Sequence, residues 1–176
     1  MKRAVFLDRD GVINRAAAEG DYVLRWDDFH FLPGVAEAIS AMQHAGWSVI
    51  VVSNQRCVGR GLLTIAGLEA IHQRMAVELA KANAKLDGIY YCPHEKEPPC
   101  DCRKPSPGMF LRAAREHQID LGSSWMVGDS ESDIQAGRRA GCRTVRIAAE
   151  PSVGGEGSDY VARNLLEASR HILTAG

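Results

Sequence analysis

The chain lacks any apolar run long enough to cross a membrane or to form the core of a secretion signal: the first, Ala4-Val5-Phe6-Leu7 behind Lys2-Arg3, stops at Asp8. The cytoplasm is therefore the expected compartment, with no membrane partner. Nor is there a surplus of one charge. A net charge of −1, from 21 Lys and Arg against 22 Asp and Glu, argues against a broad nucleic-acid footprint. An anionic ligand would have to be met by a few local cations. Internal repeats, heptad runs and low-complexity tracts are missing too, which sets aside repeat architectures. Five cysteines in a chain with no export signal do not make a disulfide framework, so a cluster of them points to metal. What is present is a soluble, globular composition, 45% hydrophobic and 24% charged, over 176 residues that suit a single domain, 1–176. Nothing in the pattern marks an extensive subunit interface, and a monomer is expected.

Short β-branched runs alternate with helix-period segments. Strands are expected at Ala4–Leu7, Ser48–Val52, Asp87–Tyr91, Ser124–Val127 and Arg143–Ile147. Helices are expected from Pro33-Gly34 to near Gly46, from the Thr64 cap along the stripe Leu68, Ile71, Met75 and Leu79, over 107–118 and 130–140, and finally over 163–173. Residues 9–33, 92–106 and 150–159 read as loops. Strands alternating with helices imply an α/β protein with a doubly wound parallel sheet. No long insertion separates the first strand from the strand ending at Ser53, so a large cap domain is not expected. His72 falls close to the apolar stripe of its helix and reads as a packed histidine, Cys142 reads as a small core residue, and Cys57 lies in the glycine loop with no partner nearby; none has an assigned role.

Three polar elements follow separate strands: Asp8 with Asp10, Ser53-Asn54-Gln55, and Gly128-Asp129-Ser130 with Asp133 beyond. Ligands of parallel α/β sheets bind beyond the carboxyl ends of the strands, so the three should meet in one crevice. A phosphate monoester is dianionic and resists an anionic nucleophile, so its site needs a cation and preorganised donors. Asp8 and Asp129 can ligate Mg²⁺, the Ser53 hydroxyl and the Asn54 backbone N–H can hold phosphoryl oxygens, and Lys104 adds a point charge.

Cys92-Pro93-His94 and Cys100-Asp101-Cys102 gather three thiols and an imidazole within eleven residues. Four such ligands, Cys92, His94, Cys100 and Cys102, make a closed Zn²⁺ site with no position left for a catalytic water. The zinc would be structural, pinning the loop 92–104 and fixing Arg103 and Lys104 over the phosphate site.

Taken in this order, the Asp-x-Asp strand end, the Ser strand end, the Lys and the Gly-Asp-x-x-x-Asp strand end resemble the phosphatases of the haloacid dehalogenase-like superfamily. The resemblance implies a Rossmann-like fold, with Asp8 as nucleophile and Asp10 as general acid and then base. It also implies that Ser53 and Lys104 stabilise the phosphoryl group, and that Mg²⁺ is held by Asp8, Asp129 and the Asp10 carbonyl, Asp133 standing behind these ligands. Asp8-Arg9-Asp10-Gly11-Val12-Ile13-Asn14, Gly59-Arg60-Gly61 and the zinc loop ending in Arg103-Lys104-Pro105 resemble one branch more closely, that of the heptose-bisphosphate and histidinol-phosphate phosphatases. That branch implies substrate contacts from Gly20, Asp21, Tyr22, Asn54, Gln55, Arg56, Arg103 and Ser130. It implies a small sugar bisphosphate substrate and a place in nucleotide-activated heptose and lipopolysaccharide-core synthesis. Arg56, Arg60 and Arg103 are the cations expected to meet a second phosphate. Histidinol phosphate stays open as the other substrate, as does a non-catalytic, zinc-stabilised phosphate-binding module.

Overall fold

The computed structural model describes residues 1–149 and 157–175. Six strands form one parallel sheet in the order β3-β2-β1-β4-β5-β6. They are β1 (Ala4–Leu7), β2 (Ser48–Asn54), β3 (Gly88–Cys92), β4 (Trp125–Gly128), β5 (Arg143–Ile147) and β6 (Tyr160–Ala162). Helices cover both faces: α1 (Val35–His44), α3 (Ile65–Lys81) and α6 (Leu165–Ala175) on one, α4 (Gly108–His117) and α5 (Glu131–Ala140) on the other. Alternation along each strand divides the core accordingly. Val5 and Leu7 pack with Ile39, Met42, Met75 and Ile172, while Ala4 and Phe6 pack with Met109, Phe110 and Ala136.

The five expected strands and five expected helices are all present, with ends shifted by a residue or two. Thr64 caps α3 by accepting from the Gly67 N–H at 3.0 Å, and the stripe Leu68, Ile71, Met75 and Leu79 is buried. Apart from single 3-10 turns at Trp26–Asp28 and Leu121–Ser123, two elements differ from expectation. A short helix, α2 (Arg56–Gly59), occupies the glycine-bearing loop. The strand β6 adds a sixth member at the sheet edge; it has only three residues, too few for an alternation to register. Of the loop expected at 150–159, residues 150–156 lie outside the described residues.

Chain order fixes where a ligand can sit. Winding proceeds from β1 through β2 to β3, then crosses to β4 on the other flank of β1. The crevice between β1 and β4 is the topological switch point, and loops after neighbouring strands diverge there.

Candidate active site

The switch point is where the carboxylates emerge. β1 ends at Leu7 and delivers Asp8, whose N–H donates to the Val127 carbonyl of β4 at 3.0 Å. β4 ends at Gly128 and delivers Asp129. Gly11 turns the chain after Asp10 at φ +86°, and a β-carbon there would collide with the Asp129 carboxylate. Carboxylate oxygens of Asp8, Asp129 and Asp133 lie within 4.8 Å of one another.

One ammonium group is sealed among them. Lys104 is 3% exposed, and its Nζ lies 2.8 Å from Asp8, 2.6 Å from Asp133 and 2.7 Å from the Val52 carbonyl oxygen. Burial opposes its charge, but the Asp133 and Asp8 carboxylates outweigh that and raise its pKa, so the lysine stays protonated. The carboxylates are less well served. Burial first, then Asp133, pushes Asp8 up to about 8 against the pull of Lys104, and the same two causes push Asp129 up to about 6. Such a cluster is short of positive charge and built from hard oxygen donors, which fits a divalent cation such as Mg²⁺. Asp133 is a poorer ligand than its position suggests. One oxygen pairs with Lys104, and the other accepts from the Ser130 N–H at 3.0 Å and the Ser130 hydroxyl at 2.7 Å. It closes a capping box on α5 and holds Lys104 in place.

Asp10 is gripped by donors from three directions. Arg9 Nη2 and Asn14 Nδ2 donate to its Oδ1 at 3.1 and 2.9 Å, and Arg9 Nε and Gln55 Nε2 donate to Oδ2 at 3.2 and 2.9 Å. Burial alone would raise its pKa, but the Arg9 charge and these hydrogen bonds hold the carboxyl below the usual range. Gln55 also donates to the Ser53 hydroxyl at 2.8 Å, which leaves the Ser53 proton free to point into the crevice.

The cysteine loop supplies the second wall. Cys92 Sγ lies 3.6 Å from His94 Nδ1 and from Cys100 Sγ, His94 Nδ1 lies 3.2 Å from Cys102 Sγ, and the Cys100 and Cys102 sulfurs are 3.5 Å apart. Zinc–sulfur and zinc–nitrogen bonds of about 2.3 and 2.0 Å imply a tetrahedron with edges of roughly 3.5–3.8 Å, which these separations approach. The donor set and its spacing therefore fit zinc. The loop is stitched to the sheet end: Asn54 Nδ2 donates to the Lys104 carbonyl at 3.1 Å, and the Lys104 N–H donates to Asn54 Oδ1 at 3.0 Å.

Beside Lys104 opens a cleft of about 450 Å³ lined by Asn54, Lys96, Arg103, Lys104, Ser106 and Ser132, among others. It meets the clustered carboxylates through Lys104, whereas clefts of about 640 and 780 Å³ elsewhere run along α1 and α3 and share no residue with the site. Chemistry rather than volume locates the site.

Several expected substrate contacts are otherwise engaged. Arg56 pairs with Glu95 at 2.6 Å, and Arg60 reaches Glu95 at 3.8 Å and donates to the Tyr22 hydroxyl at 3.3 Å. Their charge braces the zinc loop. Gly20 and Asp21 are exposed, and Ser130 spends its hydroxyl on the α5 cap. Lys96 and Ser132, which line the cleft, have no motif to mark them in sequence.

A family model described as HAD-hydrolase-like matches residues 101–168, the stretch carrying Lys104, Asp129 and Asp133. The chain belongs to the haloacid dehalogenase-like hydrolases. Among curated relatives, the D-glycero-beta-D-manno-heptose-1,7-bisphosphate 7-phosphatase of Pseudomonas aeruginosa is 40% identical over 143 residues, covering 81% of this chain and 79% of the relative. The enzyme of the same name from Escherichia coli is 44% identical over 140 residues, covering 76% and 72%. The crystal structure of D,D-heptose 1,7-bisphosphate phosphatase from Bordetella bronchiseptica, complexed with magnesium and phosphate, superposes with a TM-score of 0.89 over 100% of both chains at 36% identity. No helix among the described residues is long and apolar enough to cross a membrane.

Proposed function

We propose that the whole chain is a single cytoplasmic phosphatase domain that removes the 7-phosphate of D-glycero-D-manno-heptose 1,7-bisphosphate and feeds nucleotide-activated heptose synthesis. The observation that carries this reading is the juxtaposition of Asp8 and Asp129 at the switch point, with Lys104 sealed against Asp8 and Asp133 and a cationic cleft alongside. Relatives about 40% identical that bear this name support it.

The chemistry follows from what each group can reach. A carboxylate oxygen of Asp8 attacks phosphorus, and the bond to the C7 oxygen breaks while Asp10, ionised at rest and first loaded with a proton from solvent against the pull of Arg9, passes that proton to the oxygen. Asp10, ionised again, then takes a proton from water as the water oxygen attacks the aspartyl-phosphate, releasing inorganic phosphate and restoring Asp8. Lys104 and the Ser53 hydroxyl stabilise charge on the moving phosphoryl group. Mg²⁺, held by the Asp8 and Asp129 carboxylates and the Asp10 carbonyl, would supply further neutralisation there. Lys96 and Arg103 on the cleft take the second phosphate in place of Arg56 and Arg60. Zinc on Cys92, His94, Cys100 and Cys102 holds this wall, and no chemical step needs it.

The deciding experiment is Mg²⁺-dependent phosphate release, comparing kcat/KM for heptose 1,7-bisphosphate and histidinol phosphate. A preference for the bisphosphate of about a hundredfold is expected, on the order of what polar groups matched to one substrate can supply. Histidinol phosphate carries no second phosphate for Lys96 and Arg103, and a reversed preference would move the enzyme to that substrate. No turnover of either would leave a phosphate-binding module.

A further inference from the structure

Arg9 is among the largest fully buried side chains of the protein, at 1% exposed, and neither phosphoryl transfer nor metal binding makes direct use of it. Its guanidinium has two working edges. One, Nε with Nη2, forks onto both oxygens of Asp10. The other, Nη1, lies 3.1 Å from Nε2 of His72, which α3 carries in from across the sheet face.

A hydrogen bond from a guanidinium requires an acceptor, so His72 must be neutral with its proton on Nδ1. Burial first, and then the Arg9 charge, keeps the imidazole neutral by lowering its pKa to about 3. Nδ1 is buried without a hydrogen-bond partner among the described residues. A position needed only for packing would be better served by an apolar side chain, because an unpaired buried N–H and a buried cation both subtract from stability. The neighbours Ile71 and Met75 on α3 show what such packing looks like.

We propose that His72 is a positioning residue: by holding the free edge of Arg9 it stops the guanidinium from pivoting and so fixes the Asp10 carboxylate through which the proton passes. The inference rests on the reading of Asp10 as general acid. Asn14 and Gln55 each hold a single oxygen of Asp10, whereas Arg9 holds both and sets the plane of the carboxylate. Displacements well under an ångström at a catalytic group carry large rate penalties, and about 10–100-fold is expected here.

The test exploits the leaving group. A sugar alkoxide needs the proton that Asp10 delivers; the p-nitrophenolate of p-nitrophenyl phosphate departs with little help. kcat/KM reports the steps through loss of the leaving group. His72→Leu should therefore lower kcat/KM on heptose 1,7-bisphosphate about 10–100-fold and on p-nitrophenyl phosphate several-fold less, while His72→Gln, whose amide oxygen can accept from Arg9, should restore most of the loss. Equal losses on both substrates, no loss on either, or a His72→Gln enzyme no better than His72→Leu would overturn the inference. Should His72→Leu fail to fold, His72→Asn, whose shorter amide falls short of Arg9, makes the same comparison. A wild-type protein inert toward both substrates would overturn the phosphatase reading itself, and the role of His72 with it. An active wild type with an indifferent His72→Leu would overturn only the role of His72.

Discussion

Replacing Asp10 with Asn changes a single atom, and the structure sets what that atom meets. Oδ1 receives Arg9 Nη2 and Asn14 Nδ2, and Oδ2 receives Arg9 Nε and Gln55 Nε2. Whichever oxygen becomes the NH₂ group, two donors lose their acceptor and face another donor. The substitution is thus not silent for folding: a loss of roughly 1–2 kcal/mol is expected, since Asp10 keeps an exposed flank that lets water replace part of the loss. For a chain of this size that corresponds to a fall of roughly 2–8 °C in Tm. Activity should fall much further. An amide cannot shuttle the proton, and removing a general acid–base group costs about 10²–10⁴-fold in kcat. The assay pairs phosphate release from heptose 1,7-bisphosphate at saturating Mg²⁺ with a thermal melt of the same sample. A kcat within tenfold of wild type would refute the role given to Asp10. An unchanged Tm alongside a lost kcat would leave the chemistry standing and refute the clamp.

Removing zinc with a chelator, or replacing Cys100 with Ser, should release about one zinc per chain, lower Tm and cut activity through Lys104; a protein indifferent to both has no metal at that cluster. Stability should also depend on pH in a particular direction. Asp8 and Asp129, with folded pKa values of about 8 and about 6 against 3.8 unfolded, bind protons more tightly when folded, so Mg²⁺-free protein should lose stability as pH rises from about 4 to about 8. Melts at pH 5 and 8, without chelator so that zinc stays, should show Mg²⁺ raising Tm more at pH 8; an equal rise at both would contradict the charge-starved cluster. Finally, Lys96→Ala and Arg103→Ala should each raise KM for the bisphosphate about tenfold, the value of one contact of about 1.4 kcal/mol. KM for the corresponding 7-monophosphate should stay unchanged, and parallel losses on both compounds would take the second phosphate out of this cleft.

Much of this was legible in the chain because the signals were local and redundant. Asp8, Ser53 and Asp129 each follow a β-branched or apolar run, and a parallel sheet brings strand ends together whatever the details of its helices. Four candidate zinc ligands within eleven residues likewise need no tertiary knowledge. What stayed hidden depends on which of several cations wins a given carboxylate. Arg56 and Arg60 look available in sequence, and only the approach of the zinc loop shows that Glu95 takes both. Lys96 has no motif; its place on the cleft follows from how Cys92 and Cys100 fold the loop back. His72 sits on an apolar stripe at the spacing of a core residue, and nothing along the helix reveals that a buried arginine from β1's end stops against it. Ser130 was expected as a substrate contact, but its spacing to Asp133 makes a capping box just as readily.

The two halves of the site hang from parts of the molecule with different lifetimes. Asp8 and Asp129 stand on β1 and β4, the innermost strands, each flanked on both sides, and such strands open only when the whole domain does. Lys104 arrives on a segment with little core of its own, tied down by Asn54 and by the Cys/His cluster that would hold zinc. Stripped of zinc, the protein would keep its sheet and its crowded carboxylates while releasing the ammonium that balances them. The remnant would bind divalent ions avidly yet turn nothing over, a sink for cations rather than a catalyst, and one that a spectroscopic check of folding would pass as native.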